Sequence, residues 1–144
     1  MNESEIEILL IEDNPDDAEI TLRALQQNNI SNNILHLKDG SEALEFLFDS
    51  GSLKKKNNKP KVILLDLNMP KVDGIEVLRE IKSHVEARSI PVVILTSSCD
   101  DPDIETCYQL GANSYIIKPV NFTGFQKVVR EIGLYWVLLN QPSI

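Results

Sequence analysis

The chain has 144 residues, the size of one ordinary domain and too short for two. With 42% apolar and 25% charged residues it can build one core, which excludes a disordered tail, a collagen-like chain and a repeat array. Its 22 acidic residues against 14 basic ones leave a net charge of -8, which argues against a nucleic-acid partner and suits a cation or a basic protein patch.

The first five residues, Met-Asn-Glu-Ser-Glu, are acidic and polar, unlike a secretory signal. Ile6–Ile11 (IEILLI) reads as a first strand. Asn14-Pro15 reads as a helix cap followed by a first-turn proline, and Ala18, Leu22 and Leu25 then recur at helical spacing. Ile34–Lys38 (ILHLK) is a second strand, and Asp39 opens a helix through Phe46–Phe48 that stops near Gly51. The basic stretch Gly51–Pro60, with Lys54, Lys55, Lys56 and Lys59, reads as a solvated loop. Val62–Asp66 (VILLD) is a third strand. Asp73-Gly74 then introduces a helix with Ile75, Leu78, Ile81 and Val85 on one face.

Ile90–Leu95 (IPVVIL) is a fourth strand. Asp101-Pro102 starts a fourth helix with Ile104, Cys107 and Tyr108 inward and Gly111 as its stop. Ser114–Ile117 (SYII) is the last strand, and Asn121 caps a fifth helix from Phe122 to about Asn140. Near-continuous Val/Ile/Leu strands alternating with helices imply a parallel sheet covered on both faces, joined by right-handed crossovers. No apolar run approaches the roughly 20 residues of a membrane span, so a cytoplasmic protein without membrane contact is expected. Cys99 and Cys107 have no histidine pair near them, so reduced thiols are expected and a zinc site is not. His36 reads as a sheet residue and His84 as a surface helix residue, neither with a role in chemistry.

Ligands of an open parallel sheet bind beyond the carboxyl ends of its strands. The first strand ends there in Glu12-Asp13, the third in Asp66, the fourth in Thr96-Ser97 and the fifth in Lys118-Pro119. If these strands are neighbours, three carboxylates, a cation and a hydroxyl converge. Clustered carboxylates repel one another and call for a cation, and hard oxygen donors suit Mg²⁺. Lys118 is a point charge suited to a phosphoryl oxygen, and Thr96 can donate a hydrogen bond to the same group. Each residue alone has a plainer reading as a cap, a turn or a strand end. Together they are equipment for an aspartyl-phosphate.

At these residues the sequence resembles the receiver domain of two-component response regulators. The matching stretches are Leu9–Pro15 (LLIEDNP), Leu64–Gly74 (LLDLNMPKVDG), Val92–Ser97 (VVILTS) and Gly111–Pro119 (GANSYIIKP), spanning nearly the whole chain. The resemblance implies a flavodoxin-like (βα)5 fold with a parallel five-stranded sheet in the order 2-1-3-4-5. It implies Asp66 as phospho-acceptor, Glu12, Asp13, Asp66 and the Asn68 carbonyl around Mg²⁺, and Thr96 and Lys118 on the phosphoryl group. Tyr115 corresponds to an aromatic that changes rotamer with Thr96, and Pro119 to a proline often preceded by a cis bond. Ser97 departs from the more usual alanine.

The resemblance further implies a sensor histidine kinase as phosphodonor. The basic loop and the long aromatic last helix resemble stand-alone regulators paired with phytochrome-like kinases. The expectation is one receiver domain over residues 1–144 with no output domain, catalysing only its own phosphorylation and dephosphorylation. It would signal through the fourth-helix, fifth-strand and fifth-helix face to a downstream protein, or relay the phosphate to a phosphotransfer protein.

Three rivals are weaker. A flavin carrier needs a Ser/Thr/Gly-rich loop where Glu12-Asp13-Asn14-Pro15 stands, and a haloacid-dehalogenase-type phosphatase needs an aspartate at position 68, which is Asn. A pseudo-receiver would not keep an intact acidic site. In the last helix, Phe122, Phe125, Val129, Ile132, Trp136 and Leu139 form an inward stripe, while Leu134, Val137 and Leu138 lie off it. That outward apolar patch leads to the expectation of a homodimer.

Overall fold

A computed structural model describes residues 7–27, 33–49, 60–69, 72–97 and 102–131. Five strands, β1 (Ile8–Ile11), β2 (Ile34–Leu37), β3 (Val62–Asp66), β4 (Val92–Thr96) and β5 (Ser114–Ile117), form one parallel sheet in the order β2-β1-β3-β4-β5. The helices are α1 (Pro15–Gln27), α2 (Gly40–Leu44), α3 (Gly74–Ser83), α4 (Pro102–Leu110) and α5 (Phe122–Glu131), with a π-helical turn over Glu45–Asp49 after α2. This is the expected flavodoxin-like order, because β1 and β3 run side by side at the sheet centre.

Successive strand residues point to opposite faces, and here both faces are dry. Leu9, Ile11, Ile63, Leu65, Val92 and Ile94 pack with Val77, Leu78 and Ile81 of α3 and Cys107 of α4. Ile8, Leu10, Val62, Leu64, Val93 and Leu95 pack with Ala18, Ala24 and Leu25 of α1 and Phe125 and Val128 of α5. With apolar layers on both sides, polar groups collect at the strands' carboxyl edge.

The caps are where the sequence places them. Asn14 Oδ1 accepts from the amides of Asp16 and Asp17, at 2.9 and 3.0 Å. Asp39 and Asp73 accept from Glu42 and Glu76 at 2.8 and 2.9 Å, and Asn121 from Gly124 at 2.7 Å. Gly111 follows α4 at φ +110°, a conformation that favours glycine. At Gly74 a Cβ would stand 2.4 Å from the Asp66 carbonyl oxygen, so a bare backbone is what lets α3 start directly against β3.

Several packing expectations are corrected. Val85 is 67% exposed because α3 ends at Ser83 and His84 adopts extended backbone angles, which takes Val85 off the helical face. Tyr108 is 44% exposed, since Ile104 and Cys107 already form the buried side of α4. Phe122 is 39% exposed: α5 buries Phe125 and Val128, an i, i+3 pair that turns the inward stripe away from Phe122. β4 begins at Val92, and Ile90 is a buried residue of the preceding turn. The lysines of the basic stretch, Cys99, and Ile132, Leu134, Trp136, Val137, Leu138 and Leu139 lie outside the described residues. No helix among the described residues is long and apolar enough to cross a membrane.

Candidate functional site

The expected residues meet at the carboxyl edge. Glu12 follows β1 and is buried, Asp66 ends β3 and is buried, and Asp13 beside them is exposed. Carboxylate oxygens of all three lie within 4.8 Å of one another. Lys118 after β5 reaches into the cluster, its Nζ 3.0 Å from Asp66 Oδ1 and 3.1 Å from Glu12 Oε1. Thr96 ends β4, fully buried, and its carbonyl accepts the Lys118 amide at 2.7 Å. Asn68, exposed on the loop after β3, donates its amide to Asp66 Oδ1 at 3.3 Å. The Lys118-Pro119 peptide is cis.

Loss of hydration, followed by the hydrogen bond and charge of Glu12, pushes the Asp66 carboxyl up to about 6 against the opposing pull of Lys118. Asp13 is exposed as a residue, yet partial loss of hydration is the largest cause raising its carboxyl, ahead of the hydrogen bond and charge of Asp66. Burial pulls the Lys118 ammonium down, but Asp66 and Glu12 outweigh it and hold Lys118 charged well above its ordinary range. Among the described residues, the cluster thus carries more negative charge than its one close cation, Lys118, offsets.

Glu12 Oε1 is buried and receives no hydrogen bond from the described residues, whereas Oε2 accepts the Asn14 amide at 3.1 Å. Lys118 Nζ stands 3.1 Å from Oε1 as an ion pair. Three close carboxylates and a buried oxygen with an undirected lone pair fit a hard divalent cation.

Two contacts escaped the sequence reading. His36 Nε2 lies 2.8 Å from the Glu12 carbonyl, tying the edge strand β2 to the site. Asp17, in the first turn of α1, accepts a hydrogen bond from Lys118 Nζ at 3.2 Å. Its position four residues after Asp13 was the available signal.

Beside the cleft, Tyr115 of β5 is half-buried and meets the Tyr108 ring edge-on, with centroids 6.1 Å apart. Both rings border a groove of about 400 Å³ between α4, β5 and α5, lined further by Ile117, Pro119, Lys127 and Val128.

A doubly wound parallel sheet with an acidic, lysine-bridged cleft at its carboxyl edge defines the class. Residues 8–130 match the family model of the response regulator receiver domain. The chain is 41% identical over 136 residues to the probable methanogenesis regulatory protein FilR2 of Methanothrix harundinacea, covering 93% of this chain and 85% of that one. It is 38% identical over 130 residues to response regulator Rcp1 of Synechocystis, covering 90% and 88%. Rcp1 in its Mn²⁺-bound form is structurally similar at TM-score 0.70 and 34% identity, over 96% of this chain and 98% of that one. The bacteriophytochrome response regulator RtBRR gives TM-score 0.82 at 43% identity, over 96% and 84%. The chain belongs to the response regulator receiver domain family.

Proposed function

We propose that the chain is a phosphorylation switch whose acceptor is Asp66. The observation that carries this reading is the buried Asp66 carboxylate, 3.0 Å from the Lys118 ammonium and grouped with Glu12 and Asp13. The donor is a phosphohistidine of a sensor histidine kinase, of phytochrome-like type on the strength of the similarity to RtBRR. An Asp66 oxygen attacks phosphorus. The new P–O bond forms as the P–N bond breaks, and the departing imidazole nitrogen keeps the electron pair.

Lys118 and the Thr96 hydroxyl stabilise charge on the phosphoryl oxygens. Mg²⁺ would be held by Asp13, Asp66, the Asn68 carbonyl and Glu12, the last through water, and when bound it neutralises the crowded oxygens. The chain turns over no other substrate; it only gains its phosphoryl group and loses it to water.

Thr96 moves toward the phosphoryl group and Tyr115 turns inward. The groove between α4, β5 and α5 then changes its preference for a downstream protein, a phosphotransfer protein or a second copy of the chain.

The test is incubation with acetyl phosphate and Mg²⁺, followed by intact mass. One phosphoryl addition is expected in the parent and none in Asp66→Asn. Equal labelling of the two proteins overturns the assignment.

A further inference from the structure

The Lys118 ammonium has three N–H bonds and meets three carboxylates. Asp66 Oδ1 lies at 3.0 Å, Glu12 Oε1 at 3.1 Å and Asp17 Oδ2 at 3.2 Å. The first two side chains are 2% and 0% exposed and belong to the cluster with Asp13. Asp17 is different. It stands on α1, outside that cluster, with its side chain 35% exposed, and it accepts a hydrogen bond from Lys118.

Its placement follows from the local sequence. Asn14 caps the amides of Asp16 and Asp17, and Pro15 opens the helix, so the first turn of α1 is fixed. Asp17, in the first turn of α1, reaches Lys118 in the cleft, while its neighbour Asp16 is exposed.

We infer that Asp17 is a positioning residue that holds the Lys118 ammonium in the unmodified chain and competes for it with a phosphoryl group on Asp66. The inference rests on Asp66 as acceptor. A phosphoryl group adds negative charge on Asp66 and draws Lys118 toward it, and the ammonium can turn fully to the new oxygens only by weakening its bond to Asp17. The Asp17 carboxylate also adds negative charge at the cleft, against an incoming phosphoryl anion. Both effects oppose the phosphorylated state. Asparagine at position 17 keeps an oxygen for the hydrogen bond and removes the charge.

The experiment uses the full chain with Mg²⁺ as parent, Asp17→Asn, Asp17→Glu and Asp16→Asn. Beryllofluoride, a phosphoryl mimic, is titrated by NMR, and acetyl phosphate labelling is followed by intact mass at low and high salt. Asp17→Asn is expected to bind beryllofluoride and accept the phosphoryl group about 2–5 times more readily, the scale of one partly exposed ion pair. Asp17→Glu restores parental behaviour, Asp16→Asn matches the parent, and added salt narrows the gap. An Asp17→Asn protein no better than the parent overturns the inference, and so does an equal gain in Asp16→Asn. A parent that takes no phosphoryl group at Asp66 overturns the acceptor assignment and this inference together. A labelled parent with an indifferent Asp17→Asn overturns the inference alone.

Discussion

The carboxyl-edge cleft and the groove beside β5 adjoin at Lys118-Pro119, yet different physics governs them. In the cleft, three carboxylates stand within reach of one another, Glu12 raising the affinity of Asp66 for protons and Asp66 that of Asp13, so pH, salt and cations set its state. In the groove, Tyr108 and Ile117 leave apolar surface in water and β5 and α5 supply the walls, so shape and contact area set its state. Tyr115 borders the groove, and under the proposed switch its inward turn would carry a charge change in the cleft to that surface.

The contrast is sharpest in the buried apolar layer that Phe125 shares with Val128 of the groove's lining. Phe125→Ala should cost about 4 kcal/mol of unfolding free energy in a urea titration, because the ring is fully buried against the α1–α5 layer. That loss should be the same at low and high salt. A strong salt dependence would blur the division between the regions.

The cleft should answer in the opposite way. Lys118→Met strands Glu12 and Asp66 as buried carboxylates without their cation, and should cost about 3 kcal/mol near neutral pH. Protonation of the carboxylates should recover part of that loss as the pH is lowered.

In the metal-free parent, the raised Asp66 carboxyl means that the folded state holds the extra proton between 3.8 and about 6. The stability it contributes is complete below 3.8 and is lost as pH rises through about 6. Melting curves from pH 4 to 8 should show this fall, and Asp66→Asn should lessen it.

A smaller effect, of opposite sign, is expected at Asp13. Without Mg²⁺, Asp13→Asn should be slightly more stable than the parent, through relief of the carboxylate's partial loss of hydration and of its repulsion with Asp66, both weakened by solvent at this exposed residue. Millimolar Mg²⁺ should stabilise the parent by binding the native state and the variant much less. A parent whose melting is indifferent to Mg²⁺ would count against the metal site.

The smallest stability effect belongs to the groove's rim. Tyr108→Ser with Ile117→Ser should change unfolding free energy by less than about 0.5 kcal/mol each, since both side chains are over two-fifths exposed. Sedimentation should nevertheless show weaker self-association than in the parent, with the difference widened by phosphodonor. A parent that remains monomeric in both states would remove the second copy as an occupant of the groove.

Local sequence determined the strands, the caps and the cleft's chemistry. The runs ending at Ile11 and Leu65 are continuous apolar stretches that only a two-sided sheet can bury, and Asn14, Asp39, Asp73 and Asn121 cap helices through bonds spanning two or three residues. Glu12, Asp13, Asp66, Thr96 and Lys118 were legible because parallel topology sends every strand end to the same edge.

Only the tertiary structure decided how those groups share their contacts. Asp16 and Asp17 are identical residues in one helical turn, and the lysine that distinguishes them lies 101 positions away in the chain. His36 looked like an ordinary strand residue until pairing of β1 with β2 brought its ring to the Glu12 carbonyl. Tyr108 and Phe122 fit a helical stripe by spacing, but which side of a helix is inward depends on where the sheet lies. A period fixes relative angles around the axis, and the rotation of the whole helix is set by its packing partners.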